Sequence, residues 1–520
     1  MRRTWLALAA ATLATAIAAA PGAAGPSNNN SDKLRAAVTL EGVQRHLQAL
    51  QAISDLSGGN RFAGLSGYDR SADYVADALR AAGYAPQFWQ FEYNAFVEDV
   101  TTNLLQVTPT PTTYVNGIDF RIMTYSGGGT VTGPLARPSG DIRGCYATDY
   151  AGFAAGSIAI VQRGTPDGFP GGSCTFRIKT NNAIAAGAAA VLVFNNVTGL
   201  LSGTLGDSGL SSIPSIGLTQ ALGNSLLAQL SGSPVTLSAA AQTSSRSLTT
   251  RNVIAELPGE NANNVVVVGA HLDSVNQGPG IHDNGSGSAA ILETAIQMAK
   301  VEPRNTVRFA WWSAEESGLI GSTRYVESLA QPELDRIALN LNFDMIGSPN
   351  YVRFVYDGDN SAFPPGPGAA VGPAGSGAIE ALFHDYFASR GLASAETPFS
   401  GRSDYGPFIA KGIPAGGLFT GAEGIKSAEQ AAIYGGTAGI AYDPCYHAAC
   451  DTYANVNGTV LDQNADALAH ATITYAQNTV SVNGVEGKGS AKPKPRQPAT
   501  PVGTTGEGGG LHDDDHDAES

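Results

Sequence analysis

The chain has 520 residues, of which 43% are hydrophobic, so it is long enough for two domains or for one large domain with an insertion. Its formal net charge of −15 at pH 7 argues against a nucleic-acid partner, because phosphate binding needs clustered lysine and arginine. The 64 glycines and 28 prolines fall largely between short apolar runs, which indicates tight turns and excludes a fibrous repeat.

The N-terminus has the layout of a secretory signal peptide. Arg2 and its basic neighbour precede an Ala/Leu-rich stretch over 5–20, and small residues follow at Ala23. We therefore predict a signal peptide at 1–24 and a secreted, extracellular protein. No later segment has eighteen uninterrupted apolar residues, so we expect no membrane partner.

The four cysteines fit two disulfides, which the oxidising surroundings of an exported protein allow. We predict the pairs Cys145–Cys174 and Cys445–Cys450, out of three pairings that are possible in principle. Proximity in the sequence supports the Cys445–Cys450 pair more directly than the other.

The segment 31–113, which we interpret as the N-terminal part of a domain that resumes at 246, begins with two amphipathic helices. Over 40–56 the apolar residues recur at helical spacing and share one face. A second helix is predicted over 68–82, and Gly83 stands where a helix C-terminus favours glycine.

The sequence changes character between 114 and 245, which we interpret as an inserted domain without catalytic parts. Two β-like runs, 157–161 and 190–194, alternate with glycine-rich turns and one Ala-rich helix predicted over 180–188. The stretch holds two of the cysteines and lacks clustered histidine and acidic residues.

The same stretch resembles the protease-associated domain. The likeness is carried by Val161-Gln162-Arg163-Gly164, by Cys174-Thr175-Phe176 and by the helix over 179–187 that precedes another apolar run. This resemblance implies a β-rich inserted domain with a lid or substrate-docking role rather than chemistry.

From 246 to 480 strands alternate with helices, which predicts an α/β fold with a mainly parallel central sheet and helices on both faces. The fully apolar run 265–270 is typical of a central parallel strand. The other predicted elements are a helix over 286–300, a strand over 307–313, a helix over 319–330 and a strand over 338–345. We interpret 246–480 as the catalytic domain and 481–520, which lacks periodicity, as a disordered tail.

Metal-binding side chains follow the predicted buried strands. They are His271, Asp273, Asp283, Glu315, Glu316, Asp344 and, far downstream, His447. In parallel sheets ligands bind at the carboxyl ends of the strands. Histidine nitrogen and carboxylate oxygen suit zinc, which keeps one position open for water when its role is catalytic. The set therefore predicts a zinc hydrolase site.

A shared carboxylate, with one histidine and one further acid for each metal, would give two zinc centres about 3.5–4 Å apart. We assign Asp283 as the bridge, His271 and Asp344 to one zinc, and Glu316 and His447 to the other.

Two neighbouring acids are predicted to support these ligands. Glu315 is the expected general base, which takes a proton from water and passes it to the leaving amine. Asp273, two residues past His271, is placed to orient that imidazole. Alone, the His-x-Asp pair could be a structural hydrogen bond and adjacent glutamates a solvated face. Their joint occurrence at strand ends favours the site.

The set resembles the zinc aminopeptidase family that includes the secreted Streptomyces and Vibrio leucine aminopeptidases. The likeness covers 40–84 and 252–475. Its motifs include Gly58-Gly59-Asn60-Arg61, Gly401-Arg402-Ser403-Asp404, Phe419-Thr420-Gly421-Ala422 and Cys445-Tyr446-His447. The resemblance implies a zinc exopeptidase fold, two Zn²⁺ per chain and hydrolysis of N-terminal residues from peptides.

The resemblance also implies roles for three further residues. Tyr446 would donate a hydrogen bond to the developing oxyanion, which suits a position beside zinc. Arg402 and the free edge of Asp344 would help to hold the substrate terminus. Phe419 would line an apolar pocket for the first side chain, hence our expectation of a leucine-like residue. Plain packing remains the alternative for Tyr446 and Phe419.

One departure from the family concerns calcium. Asp462 and Asp466 lie four apart on a predicted helix and match a structural calcium site of the relatives, but Ala37 and Val38 stand where another acid is contributed there. Structural calcium is therefore doubtful, and a solvated helix face is the preferred interpretation.

Other functions stay open. A related zinc carboxypeptidase or glutaminyl cyclase would share the fold, and Arg402 could serve a carboxypeptidase as the cation for the substrate carboxylate. A non-catalytic, receptor-like relative would have lost its metals, which the filled ligand set and Glu315 argue against. For the aminopeptidase we expect peptide or protein N-termini as substrates and a monomeric chain.

Overall fold

The structure, a computed structural model, describes residues 28–485 except 167, 171–173, 207–208 and 367. The signal peptide predicted at 1–24 and the part of the predicted tail beyond 485 lie outside the described residues. Within the described residues no helix is both long and apolar enough to span a bilayer.

The strands of the described residues are β1 (Gln87–Thr108), β2 (Thr112–Thr113), β3 (Phe120–Ile122), β4 (Gly129–Ala136), β5 (Ile158–Gln162), β6 (Ala190–Phe194), β7 (Ser215–Leu218), β8 (Thr236–Leu257), β9 (Asn261–His271), β10 (Asn305–Trp312), β11 (Ile337–Phe343), β12 (Phe354–Tyr356), β13 (Ala395–Thr397) and β14 (Ala415–Phe419).

The α-helices of the same residues are α1 (Ser31–Ala37), α2 (Leu40–Asp55), α3 (Ser66–Ala81), α4 (Phe176–Ala185), α5 (Gln220–Gly232), α6 (Gly285–Met298), α7 (Ile320–Ser328), α8 (Gln331–Arg336), α9 (Ser376–Ser389), α10 (Gly406–Ala410), α11 (Ala428–Tyr434), α12 (Gly458–Gln477) and α13 (Val480–Asn483). Two short 3-10 helices lie at Ala147–Tyr150 and Tyr453–Asn455.

The catalytic half of the sheet has the order β13-β12-β14-β11-β9-β10-β8. Its central strands β14, β11, β9 and β10 are parallel, whereas β12 runs antiparallel to β14 and β8 runs antiparallel to β10. Val266 and Val268 of β9 pack into the layer that contains α2, α6 and α12. Val265 and Val267 pack into the opposite layer with α7 and α8. This confirms the predicted α/β fold with helices on both faces.

The inserted region continues the same sheet in the order β8-β4-β5-β6-β7-β3. Strands β5, β6 and β7 are parallel, and α4 and α5 pack on opposite sides of them. It is joined to the catalytic half by a long antiparallel ribbon of β1 and β8, in which Gln87 pairs with Ile254 and Thr108 with Thr236. The boundary predicted at 245 falls inside β8, and the sequence analysis assigned no element to β1.

Two predicted elements are displaced. The helix predicted over 180–188 is α4, which begins at Phe176 because the Thr175 hydroxyl accepts a hydrogen bond from the Ile178 backbone N–H at 3.3 Å. The tail predicted from 481 is wrong for 481–483, since Asn483 is in α13 and its amide donates to Asn264 Oδ1 at 2.8 Å. Both differences come from side-chain hydrogen bonds that the apolar pattern does not reveal.

Both predicted disulfides are formed: Cys145 pairs with Cys174, and Cys445 with Cys450. Near the doubtful calcium position, Asp462 and Asp466 both lie on α12. The Arg35 guanidinium of α1 is 3.6 Å from Asp466 Oδ2, so a cationic side chain faces this acid.

Candidate active site

Three parallel strands deliver the candidate ligands to one edge of the sheet. His271 is the last residue of β9, Glu315 follows β10 by three residues, and Asp344 follows β11 directly. Together with Asp283, just before α6, these residues are at most 8% exposed. Burying several carboxylates in one place is costly unless positive charge accompanies them.

Asp283 faces both imidazoles with different oxygens. Its Oδ1 lies 3.3 Å from His271 Nε2, and its Oδ2 lies 3.2 Å from His447 Nε2. On the first side Asp344 Oδ1 is 3.4 Å from His271 Nε2, and on the second side Glu316 Oε2 is 2.9 Å from His447 Nε2. The structure thus brings all five predicted ligands together in the predicted arrangement around Asp283.

This donor set fits two divalent cations. Two ligand atoms bound to one tetrahedral zinc at 2.0–2.1 Å are about 3.3 Å apart, close to the spacings around Asp283. Among the described residues, Asp344 Oδ1 and Glu316 Oε1 are buried without a hydrogen-bond partner. Asp344 Oδ1 faces the His271 imidazole at 3.4 Å, and a buried carboxylate oxygen without a hydrogen-bond partner suits a metal centre. The residues present therefore fit zinc.

The electrostatic potential of the site is strongly negative. Burial raises the pKa of Glu315 well above its usual range, although His271 opposes this, and Asp404 adds to the increase. Burial lowers the pKa of His447, but the neighbouring Glu316 and Asp283 together outweigh it and the pKa rises to about 9. Both shifts show acidic groups that compete for positive charge in a dry pocket.

Asp273 acts on the loop that carries the two glutamates. Its Oδ1 accepts the backbone N–H of Glu315 at 3.2 Å, and its Oδ2 accepts that of Glu316 at 3.3 Å. Its Oδ1 lies 3.7 Å from His271 Nδ1, which is too long for a hydrogen bond. The orientation of the imidazole by Asp273 therefore stays a prediction, and the hydrogen bonds that Asp273 accepts hold the backbone of the proposed base.

Tyr446 packs against His447, the predicted metal ligand that follows it in the chain. Its ring stacks on the His447 imidazole with the centroids 3.8 Å apart, and its hydroxyl accepts a hydrogen bond from Arg402 Nη2 at 3.3 Å. Burial raises the pKa of Tyr446 well above its usual range, and Arg402 reduces this shift. A phenol that stays protonated can donate a hydrogen bond into the cavity.

The two groups expected to hold the substrate terminus already have partners. Arg402 Nη1 donates to Glu423 Oε1 at 2.8 Å. Asp344 Oδ2, the edge that was expected to be free, accepts a hydrogen bond from Ser403 Oγ at 2.5 Å. The prediction of a free edge is therefore wrong, because the Ser403 hydroxyl lies within hydrogen-bond distance of it.

Phe419, at the end of β14, is half-buried and lines a cavity of about 160 Å³ above the ligands. Met345, Tyr356 and Tyr405 add further apolar or aromatic wall to this cavity. These three could not be recognised from the sequence, since an apolar residue at a buried strand end looks the same whether it faces the core or a cavity.

Two polar networks support the loops of the site. Buried Arg61 donates through Nε to Pro279 O at 2.9 Å and also to the Leu272 and Gly280 carbonyls, so it fixes the segment between β9 and Asp283. The Gly-Gly-Asn-Arg motif includes this residue, but its contacts could not be predicted from the motif.

The second network lies behind Asp283. Asp451 accepts the backbone N–H groups of His282 at 2.8 Å and Asp283 at 3.0 Å. The His282 Nδ1 atom is 2.6 Å from Asp443 Oδ2. Both acids flank the Cys445–Cys450 loop, and they fix the backbone from which the shared carboxylate projects.

The inserted region forms the opposite wall of the cavity. Phe96 and Glu98 of β1, Arg121 of β3 and the segment 202–204 line the same space as the candidate ligands. A lid or docking role is predicted for this region, but none of these residues could be named from the sequence, because the β1–β8 ribbon that places them was not recognised.

Comparison with known proteins matches both regions of the chain. Residues 252–472 match the model of peptidase family M28, and residues 131–226 match that of the PA domain. An aminopeptidase of Pseudomonas aeruginosa is 46% identical over 453 residues, which are 85% of this chain and 82% of that protein. Leucine aminopeptidase 2 of Trichophyton tonsurans is 40% identical over 451 residues, 86% of each protein.

Solved structures share the fold. An aminopeptidase from Aneurinibacillus sp. strain AM-1 superposes with a TM-score of 0.65 at 27% identity, over 85% of this chain and 95% of that chain. A zinc aminopeptidase from Bacillus subtilis superposes with a TM-score of 0.60 at 24% identity, over 83% and 94%.

Proposed function

The chain belongs to peptidase family M28 and is an aminopeptidase with an inserted PA domain. From this premise we propose that it removes apolar N-terminal residues from peptides, with two zinc ions as cofactor and Glu315 as general base. The observation that carries this proposal is the position of Asp283, whose two oxygens lie 3.3 Å and 3.2 Å from different imidazoles. One carboxylate facing two His-acid sets suits a pair of metals that share it.

Two zinc ions are the cofactor that this donor set would hold. His271 and Asp344 would bind one ion, and Glu316 and His447 the other, with Asp283 shared. When bound, such a pair polarises the scissile carbonyl and makes water more acidic. That a solved relative of the same fold is described as a zinc aminopeptidase supports this choice of metal.

The chain's own residues would carry the proton transfer. Glu315 Oε2 lies beside the ligand shell, 3.8 Å from His271 Nε2, and burial raises the pKa of this carboxyl. A carboxylate with a raised pKa takes a proton from water more readily and can then deliver it to the leaving amine. Asp273 holds the Glu315 backbone, and Tyr446 would donate to the oxygen of the tetrahedral intermediate.

The substrate is proposed to be a peptide with a free α-amine. The protonated amine would be stabilised by the carboxylate-rich floor of the cavity. Phe419, Met345 and Tyr356 provide apolar wall for the first side chain. The leucine aminopeptidase names of the fungal relatives support a leucine-like residue there.

The main alternatives within the fold are less well supported. A carboxypeptidase would need a cation beside the metals for the substrate carboxylate, and Arg402 is engaged by Glu423 at 2.8 Å. A receptor-like protein would have no use for buried carboxylate oxygens without partners at Asp344 and Glu316.

Secretion is part of the proposal. The layout of 1–24 and the disulfides Cys145–Cys174 and Cys445–Cys450 support export to an oxidising compartment. N-terminal sequencing of the protein from culture supernatant should give a first residue near 25. An intact Met1 on an intracellular protein would contradict export.

The activity is tested with leucine p-nitroanilide, a free-amine peptide amide and its N-acetylated counterpart, each with and without a chelator. We expect cleavage of the free-amine substrates only, loss of activity on chelation and recovery with Zn²⁺. Glu315→Gln should keep its zinc and lose about 10³-fold in kcat, whereas the exposed Glu327→Gln control should match the wild type.

Other outcomes point elsewhere. Cleavage of the acetylated peptide would indicate a carboxypeptidase or endopeptidase, and cyclisation of an N-terminal glutamine with release of ammonia would indicate a glutaminyl cyclase. A purified protein without bound metal or turnover would favour the receptor-like alternative. Full activity of Glu315→Gln would refute the choice of base.

A further inference from the structure

Arg121 is a cation that the inserted region turns toward the active-site cavity. On the short strand β3, its neighbours Phe120 and Ile122 are buried in the core of the insert. Because side chains alternate along a strand, Arg121 points to the other face, and there it lines the cavity that holds the candidate ligands. The insert therefore contributes a charged group to the wall opposite the metal-binding edge.

The surroundings of Arg121 are dry and leave its charge available. Its Nη1 donates to Ser202 Oγ at 3.2 Å, a neutral partner. No carboxylate of the described residues lies within 4.0 Å of its nitrogens. The nearby Glu98 carboxylate accepts the Thr102 backbone N–H at 2.7 Å through Oε1. Arg402, the other cation of the cavity, is instead paired with Glu423.

The charge of this guanidinium persists in the cavity. Burial lowers the pKa of Arg121, while the fields of Tyr446, Glu423, Glu98 and Glu316 oppose that shift. An arginine stays protonated even so, because its ordinary pKa is above 12. A partly desolvated arginine binds a carboxylate strongly, and its planar fork matches the two oxygens.

The direction of the substrate decides which anion meets this residue. With the α-amine and the scissile carbonyl at the ligand-bearing edge, the residues beyond the scissile bond must extend toward the opposite wall. That wall is the inserted region, and its cation is Arg121. In a dipeptide or tripeptide the C-terminal carboxylate lies one or two residues beyond the bond, whereas longer chains carry a neutral amide there.

We propose that Arg121 is a specificity-determining residue that binds the C-terminal carboxylate of short peptides, so that the insert selects di- and tripeptides as preferred substrates. This inference rests on the proposed aminopeptidase function. An aspartate or glutamate side chain at the same distance offers the same chemistry, and the experiment separates the two sources.

The test compares kcat/KM for Leu-Gly and Leu-Gly-Gly with that for their C-terminal amides. The wild type should prefer the free carboxylate by about tenfold or more, the size expected for a hydrogen-bonded charge pair. Arg121→Gln should reduce this acid-to-amide ratio at least fivefold, mainly through KM, and Arg121→Lys should restore part of it. The exposed Arg246→Gln of the same region is the matched control and should keep the ratio.

Three results would overturn the proposal. One is a wild-type ratio near one, which needs no variant and so does not depend on folding. Another is an equal loss by Arg121→Gln on acids and amides, which would mark a structural role. The third is a preference for Leu-Asp-NH2 over Leu-Asn-NH2 without a preference for Leu-Gly over its amide, which would assign the residue to acidic side chains.

Failure of the underlying function is recognisable in the same assays. Cleavage of N-acetyl-Leu-Gly, or no cleavage of any free-amine substrate by the zinc-loaded wild type, would contradict the aminopeptidase itself. Normal turnover of the amides with no carboxylate preference would contradict only the role of Arg121.

Discussion

The catalytic and inserted regions are built alike but end their strands differently. Both have parallel strands with helices on each side, and both belong to one continuous sheet. In the catalytic region β9 ends at His271, and β11 is followed directly by Asp344. In the insert β5 and β6 are followed by Arg163 and Asn195, whose side chains hydrogen-bond to each other at 3.1 Å. The topology provides the edge, and the residues placed there decide whether it can bind metal.

The two regions also differ in what holds them together near those strand ends. In the insert the buried Lys179 ammonium donates to Gly164 O at 2.7 Å and Arg143 O at 3.0 Å, beside the Cys145–Cys174 disulfide. In the catalytic region the corresponding loops are fixed by carboxylates such as Asp451, which accepts two backbone N–H groups next to the shared ligand. The loops of the insert are therefore stabilised by local hydrogen bonds and a disulfide, whereas those of the catalytic region are held by buried carboxylates.

The largest expected effect comes from removing a buried carboxylate in each region. Asp283→Asn should lose both metals and reduce activity by about 10³-fold or more, since the residue faces both ligand sets. Asp149→Asn in the insert, where the carboxylate accepts the Tyr146 and Asp141 backbone N–H groups, should lower stability and leave zinc content unchanged. Elemental analysis and initial rates measure both. If Asp283→Asn kept two zinc ions, the proposed difference between the buried carboxylates of the two regions would be contradicted.

An effect of intermediate size is expected from removing the disulfides, and it should differ between the two bonds. Replacing Cys145 and Cys174 by serine should cost about 2–4 kcal/mol of stability in the insert, with activity on leucine p-nitroanilide nearly retained. Replacing Cys445 and Cys450, beside Tyr446, should reduce activity as well. Thermal unfolding, limited proteolysis and rates on the two double variants give the measurement. Equal activity losses would show that the insert's bond also shapes the site.

The sequence predicted the ligand edge better than its surroundings. His271, Glu316 and Asp344 could be placed because parallel strands bring their carboxyl ends together, whatever the loops do. Arg121 could not, since its position depends on the register of the β1–β8 ribbon. The hydrogen bonds of Asp273 to the backbone beyond β10 were also beyond a pattern of residue types.

The smallest expected effect is a pH dependence of stability with opposite sign in the two regions. Burial raises the pKa of Glu380 in the catalytic region from 4.5 to about 7. The protonated Glu380 makes its full contribution to stability below 4.5, the pKa of the unfolded state. This contribution is lost as the pH rises through 7. The melting temperature of Glu380→Gln minus that of the wild type should therefore increase between pH 5 and pH 8, by roughly 1–2 °C.

Asp141 of the insert provides the opposite case. Hydrogen bonds from Arg143 lower the pKa of Asp141 to about 2, so its contribution is present above 3.8 and is lost as the pH falls through 2. Asp141→Asn should be less stable than the wild type at pH 7, and the difference should shrink on acidification. Melting curves from about pH 2 to pH 8 test both, and the same sign for both variants would contradict these assignments.

The central claim is that Asp283 is shared by two metals, and anomalous diffraction at the zinc edge tests it most directly. We predict two peaks on either side of its carboxylate, one contacting His271 and Asp344 and the other contacting Glu316 and His447. A single peak, or peaks only at another cluster of the described residues such as Glu380, His384 and Glu396, would contradict the account.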